Sequence, residues 1–167
     1  MNAKEKKRYN EIVLEIERLQ NELKHLNPYA HINYLSNKEF GNDWSENYIV
    51  SKVPSLRRYN GTGFNMISNI GTIDVVSTRI LSGTVTFNQL HPDECDWFLF
   101  VFYNIIEGTE KIYFVPSELL KDKSLFKITK QHGSGCYCMT TSPYNMSSLK
   151  YFIVHSWEEL NGKIAPW

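Results

Sequence analysis

Net charge is what this sequence most conspicuously lacks: 18 Lys and Arg balance 18 Asp and Glu across 167 residues. No global basic field therefore draws it to nucleic acid, although a local patch can suffice. It has no apolar run of the ~20 residues that a membrane helix needs. Its start, Met1-Asn2-Ala3-Lys4-Glu5-Lys6-Lys7-Arg8, lacks the apolar stretch of a secretion signal, so a cytoplasmic location and no membrane partner are expected. Cysteine is scarce and odd in number: Cys95, Cys136 and Cys138. That argues for reduced thiols rather than a disulfide framework. Internal repeats and low-complexity tracts are absent too. What remains is 42% apolar and 14% aromatic, enough for one packed domain and too much for a disordered chain.

The elements follow from periodicity. Tyr9, Ile12, Ile16, Leu19, Leu23 and Leu26 recur at alternating three- and four-residue steps, which predicts an amphipathic helix over 4–26 ending at Asn27-Pro28. Its stripe packs either on its own domain or on a partner helix. The expected division is residues 1–27 for this helix and 28–167 for a single domain. A second helix is expected to open at Asp43, with Glu46 completing a capping box, and to stop at Pro54. Residues 55–63 read as a basic, glycine-bearing loop. Strands are expected over 64–67 and 72–78 around the turn Ser68-Asn69-Ile70-Gly71, then over 84–87, 97–103 and 111–115. Residues 97–103 are almost wholly apolar, as in a strand covered on both faces. A short helix capped by Ser117, strands over 125–129, 136–140 and 150–154, and a helix capped by Ser156 complete the chain. This order predicts an α/β (α+β) fold with a central mixed β-sheet flanked by helices.

Phosphodiester hydrolysis asks for carboxylates to hold a metal and a nearby cation to steady the attacking water and developing charge. A hairpin supplies them compactly, with one acid on the first strand and an acid and a lysine two apart on the second. The run from Gly63-Phe64-Asn65 through Gly71-Thr72-Ile73-Asp74-Val75-Val76-Ser77-Thr78-Arg79 resembles such a motif: glycine-aromatic-Asp, a turn, then acid-x-Lys-Ser-Thr. Asp96-Trp97-Phe98-Leu99-Phe100-Val101 resembles the next core strand, and Tyr113-Phe114-Val115-Pro116-Ser117-Glu118 the strand-to-helix step after it. Residues 46–120 thus resemble the core of the PD-(D/E)xK superfamily, the restriction-endonuclease-like nucleases. The resemblance implies a restriction-endonuclease-like core, duplex DNA as partner, a homodimer, and Mg²⁺ as cofactor. Asp74 and Glu46 would be the metal-binding acids, and Asn65 and Val76 stand at the remaining motif positions.

Two positions depart from the pattern. Asn65 replaces the first aspartate and Val76 replaces the lysine. Asparagine offers a metal an oxygen without charge, and valine offers nothing. The expectation is therefore a DNA-binding protein that hydrolyses the duplex if active, or an inactive nuclease fold serving as a DNA-binding or interaction subunit. A plain strand aspartate with solvent around it is the bland alternative for Asp74. Charge is uneven: residues 83–120 are mainly acidic and 121–155 mainly basic. Arg57, Arg58, Arg79, Lys130, Gln131 and His132 are the DNA-contact candidates, with a solvated lysine face as the alternative for the basic segment. Cys136 and Cys138, with His132 and Cys95, are a further candidate set for zinc, although two packed thiols explain that pair as well.

Overall fold

Strand β5 (Trp97–Asn104) is apolar on both faces, and seven of its eight residues are buried. Alternation sends Leu99, Val101 and Tyr103 to one side and Phe98, Phe100 and Phe102 to the other, so the strand joins two separate cores. This computed structural model describes residues 1–80, 84–122, 125–131, 135–141 and 148–165.

Beside β5 runs β3 (Gly71–Ile80), parallel and in unbroken register from Ile73↔Trp97 to Ile80↔Asn104. On its other side β6 (Thr109–Pro116) is antiparallel. β2 (Met66–Ser68) forms the expected hairpin with β3, turning between Ser68 and Gly71. The two-residue strands β1 (Arg57–Arg58) and β9 (Ile153–Val154) close the edges, giving a mixed sheet in the order β1-β2-β3-β5-β6-β9. The link from β3 to β5 leaves this sheet. It contributes β4 (Val85–Leu90) to a second sheet ordered β4-β8-β7, with β8 at Tyr137–Thr141 and β7 at Ile128–Lys130.

The second sheet covers one face, where Phe87 and Met139 pack with Phe98, Phe100 and Phe102; the one-turn helix α3 (Ser117–Leu120) lies beside it through Leu120. Helices α2 (Glu46–Lys52) and α4 (Trp157–Ile164) and the 3-10 turn Ala30–Tyr34 cover the other. The mixed α/β architecture with a central mixed sheet matches the sequence reading.

Several local expectations are corrected. The second helix begins earlier than Asp43. The reciprocal capping box is formed by Ser36 and Glu39, whose backbone N–H groups each donate to the other's side chain at 2.8 and 3.2 Å. A π-helical stretch, Glu39–Ser45, then runs directly into α2, so Asp43 lies inside the helix. Ser117 does not cap α3; it is buried, and its hydroxyl lies 3.2 Å from Cys95 Sγ. Residues 149–152 form a 3-10 turn, which leaves only Ile153 and Val154 extended. The Ser156 cap of α4 is present, accepting from Glu159 N–H at 3.1 Å.

Helix α1 (Ala3–Leu26) is opened by an Asn2–Glu5 capping box, ends at Asn27, and buries none of its residues. Its stripe stays largely exposed and meets the domain beside Tyr34. Among the described residues, no helix is long and apolar enough to cross a membrane.

Arg79 holds the segment before α2 to the sheet. Its guanidinium donates to the Ile32 and Leu35 carbonyls at 2.9 and 2.6 Å and to Asn37 Oδ1 at 2.6 Å, and it lies 4.8 Å from the centre of the Phe40 ring. A planar fork serves these acceptors; a point-charge ammonium cannot reach all of them. Arg79→Ala should therefore cost about 3 kcal/mol in urea denaturation, with Arg79→Lys recovering less than half of the loss.

Candidate functional site

Three elements bring the motif residues to one cleft of about 500 Å³, lined by Glu46, Arg58, Tyr59, Asn65, Asp74, Gln89 and His91 among others. Asp74 comes from β3. Glu46 comes from the first turn of α2, where the chain leaves its π-helical stretch. Such stretches widen the helix and re-aim the residues that follow. Asn65 immediately precedes β2, tied to the sheet by its N–H on the Ile73 carbonyl at 3.3 Å.

The asparagine amide is fully employed. Oδ1 accepts from Val75 N–H at 2.8 Å, while Nδ2 donates to the Val75 carbonyl at 3.3 Å and to Glu46 Oε1 at 3.2 Å. Asn65 thus serves as a side-chain strand partner for Val75 and, through its remaining hydrogen, as a bracket for Glu46. The other Glu46 oxygen lies 2.6 Å from Arg58 Nη2, and Arg58 also donates to Asn47 at 3.0 Å.

Asp74 has no such support. Among the described residues no donor reaches its carboxyl. Burial, reinforced by the negative charges of Glu46 and Glu94, pushes it up to about 7. Burial also raises Glu46, against the opposing pull of Arg58 and Asn65. Glu94 approaches because Gly63, at φ +87, carries no side chain: a Cβ there would stand 2.2 Å from the Glu94 carboxylate.

Gln89 is a site residue that the sequence reading missed. It sits at φ +59, unusual for a residue with a side chain, inside the irregularity that shifts the β4–β8 register between Phe87 and Leu90. Gln131 holds this bulge, accepting from Gln89 N–H at 3.2 Å and from Cys136 Sγ at 2.9 Å and donating to Asn88 at 3.1 Å. Gln89 has neither the glycine nor the Asx chemistry that announces a left-handed position, so no local signal marked it.

The remaining candidates divide. Val76 packs against the apolar core on the second-sheet side and presents nothing to the cleft but hydrocarbon. Arg79 is committed to the fold on the opposite face. Arg57 is exposed on the β1 edge, and Lys130 is exposed on β7 next to Gln131. His132, a member of the candidate zinc set, lies outside the described residues. Cys95 contacts the His91 carbonyl and Ser117, and Cys136 contacts Gln131. Among the described residues no group of three or more His, Cys, Asp and Glu side chains is placed to hold a metal ion.

The residues fit a catalytic magnesium poorly. Glu46 is already bound by a guanidinium and an amide, and the oxygen of Asn65 already accepts from a backbone N–H. No family model matches the chain, and no curated protein matches it.

The Asp74 environment has a measurable consequence. Between its ordinary 3.8 and about 7, the folded chain holds a proton that the unfolded chain has released. Stability from the protonated carboxyl is therefore complete in acid and is lost as pH rises to about 7. Asp74→Asn should stabilise the protein by about 2–4 kcal/mol at pH 8 and change it little at pH 4, measured by thermal or urea unfolding at both.

Proposed function

We propose that this chain is a duplex-DNA-binding protein on a restriction-endonuclease-like core, in which the cleft binds without cutting. The observation that carries the reading is the convergence of Glu46, Asn65 and Asp74, from three elements, on one cleft. That juxtaposition is what the motif resemblance implies, and neither strand propensity nor core packing requires it.

The surroundings of the cleft support binding. Arg57 and Arg58 lie along the β1 edge on one side. On the other, the Gln89 bulge is tied through Gln131 to Lys130. Basic side chains on both sides suit phosphate contacts, while a floor of carboxylates and amides suits donor groups on base edges. Against hydrolysis stand the apolar role of Val76 and the full employment of Asn65. The motif's own lysine and first acid are thus both missing, which removes the groups that the motif uses to activate water and to neutralise charge on a pentacovalent phosphate.

Fluorescence anisotropy with duplex oligonucleotides, in EDTA and at low salt, tests the binding. Arg57→Glu and Lys130→Glu should each weaken it and reduce the slope of log K against log salt by about 1. Supercoiled plasmid incubated with Mg²⁺ or Mn²⁺ should remain intact. Nicking that Asp74→Asn abolishes would replace this reading with metal-dependent hydrolysis, and no binding at low salt would end the nucleic-acid reading.

A further inference from the structure

Helix α1 is a 24-residue element with no buried residue: its seam residues range from 40% exposed at Leu23 to 78% at Leu26. At 1.5 Å per residue it extends about 36 Å. In water such a helix is marginal unless an apolar stripe is covered. The stripe has the strict alternation of three and four residues that keeps a seam facing a second helix. Tyr9, Ile16 and Leu23 fall at one core position of the heptad, and Ile12, Leu19 and Leu26 at the other.

We infer that α1 is the dimerisation element of this protein, pairing with α1 of a second copy as a parallel, in-register coiled coil. The flanking residues are compatible with a second copy and discriminate its direction. The positions before the first core residue carry Arg8, Glu15 and Glu22; those after the second carry Val13 and Gln20. In a parallel pair each flank faces the opposite kind on the partner, so Arg8 meets Val13 and Glu15 meets Gln20, with no like charges apposed. In an antiparallel pair centred on the same seam, equivalent flanks meet, which sets Glu15 of one helix against Glu22 of the other. Within each helix, Arg18 reaches both glutamates, at 2.9 and 3.0 Å, from outside the seam, so the core face stays free for a partner.

The seam also has a side wall. Ile16, Leu19 and Leu23 line a shallow apolar groove with Tyr34, which is 80% exposed. A second helix seated on the seam would cover this ring. The dimer therefore reaches the body of the protein at Tyr34 as well as along α1.

Sedimentation equilibrium of the full chain, without DNA, tests this independently of the proposed function. A dimer at micromolar concentration is expected. Ile16→Lys should raise the dissociation constant at least about tenfold, with the circular dichroism of the body unchanged. Direction is read by oxidative cross-linking, with the wild-type chain as control for its own thiols. Ile16→Cys should cross-link to itself. A wild-type monomer overturns the inference. So does a cross-link that forms only between an Ile16→Cys chain and a Leu19→Cys chain, which is the antiparallel signature.

Discussion

Parallel pairing of β3 with β5 is the constraint from which the rest of this structure follows. Adjacent parallel strands cannot be joined by a tight turn; the chain must leave the sheet and return at the same end. Here the connecting segment uses that excursion to build β4, and β4 seeds the second sheet. The second sheet then buries the phenylalanine face of β5, while helices bury the other face. The cleft lies where the excursion rejoins the body: Gln89 and His91, at the end of β4, face the hairpin that carries Asn65 and Asp74. One topological requirement thus provides both a core and one wall of the site.

Against that frame, what the sequence made legible is of one physical kind. The heptad pattern, the Ser68–Gly71 turn and the Ser156 cap are local signals that need no partner to be read, and these elements are found in place, while the strands expected over 125–129 and 150–154 are extended only from Ile128 and from Ile153. Residues 97–103 announced their double burial by being apolar throughout. The misplaced features depend on tertiary context. Asp43 and Glu46 have the spacing of a capping box, but Ser36 and Glu39 have it too, and the contact of Arg79 with Ile32 and Leu35 fixes the segment that makes the earlier pair the true start. The π-helical stretch has no sequence signature. Ser117 carries cap chemistry, yet its hydroxyl turns inward to Cys95.

The site divides in the same way. A motif reading brings Glu46, Asn65 and Asp74 to mind together, because alternation and the hairpin are local rules. It says nothing of how each polar atom is spent. Arginine is the clearest example. Arg58 and Arg79 are equally basic in the sequence; in the fold one borders the cleft on Glu46 and the other is enclosed by backbone carbonyls. Gln131, a DNA-contact candidate in the sequence, has a part in the fold that no sequence pattern shows: it braces a neighbour with a left-handed backbone.

The Asn65 bracket also limits which side chains this position can take without loss. An aspartate at that position could still accept from Val75 N–H, but it would have no hydrogen for the Val75 carbonyl or for Glu46, and it would add a negative charge beside two carboxyls already raised by burial. A lysine at Val76 would have to leave the apolar layer that the valine now packs against. The amide at Asn65 is thus what lets two buried carboxyls share one cleft: it supplies hydrogens where an aspartate would bring a third charge.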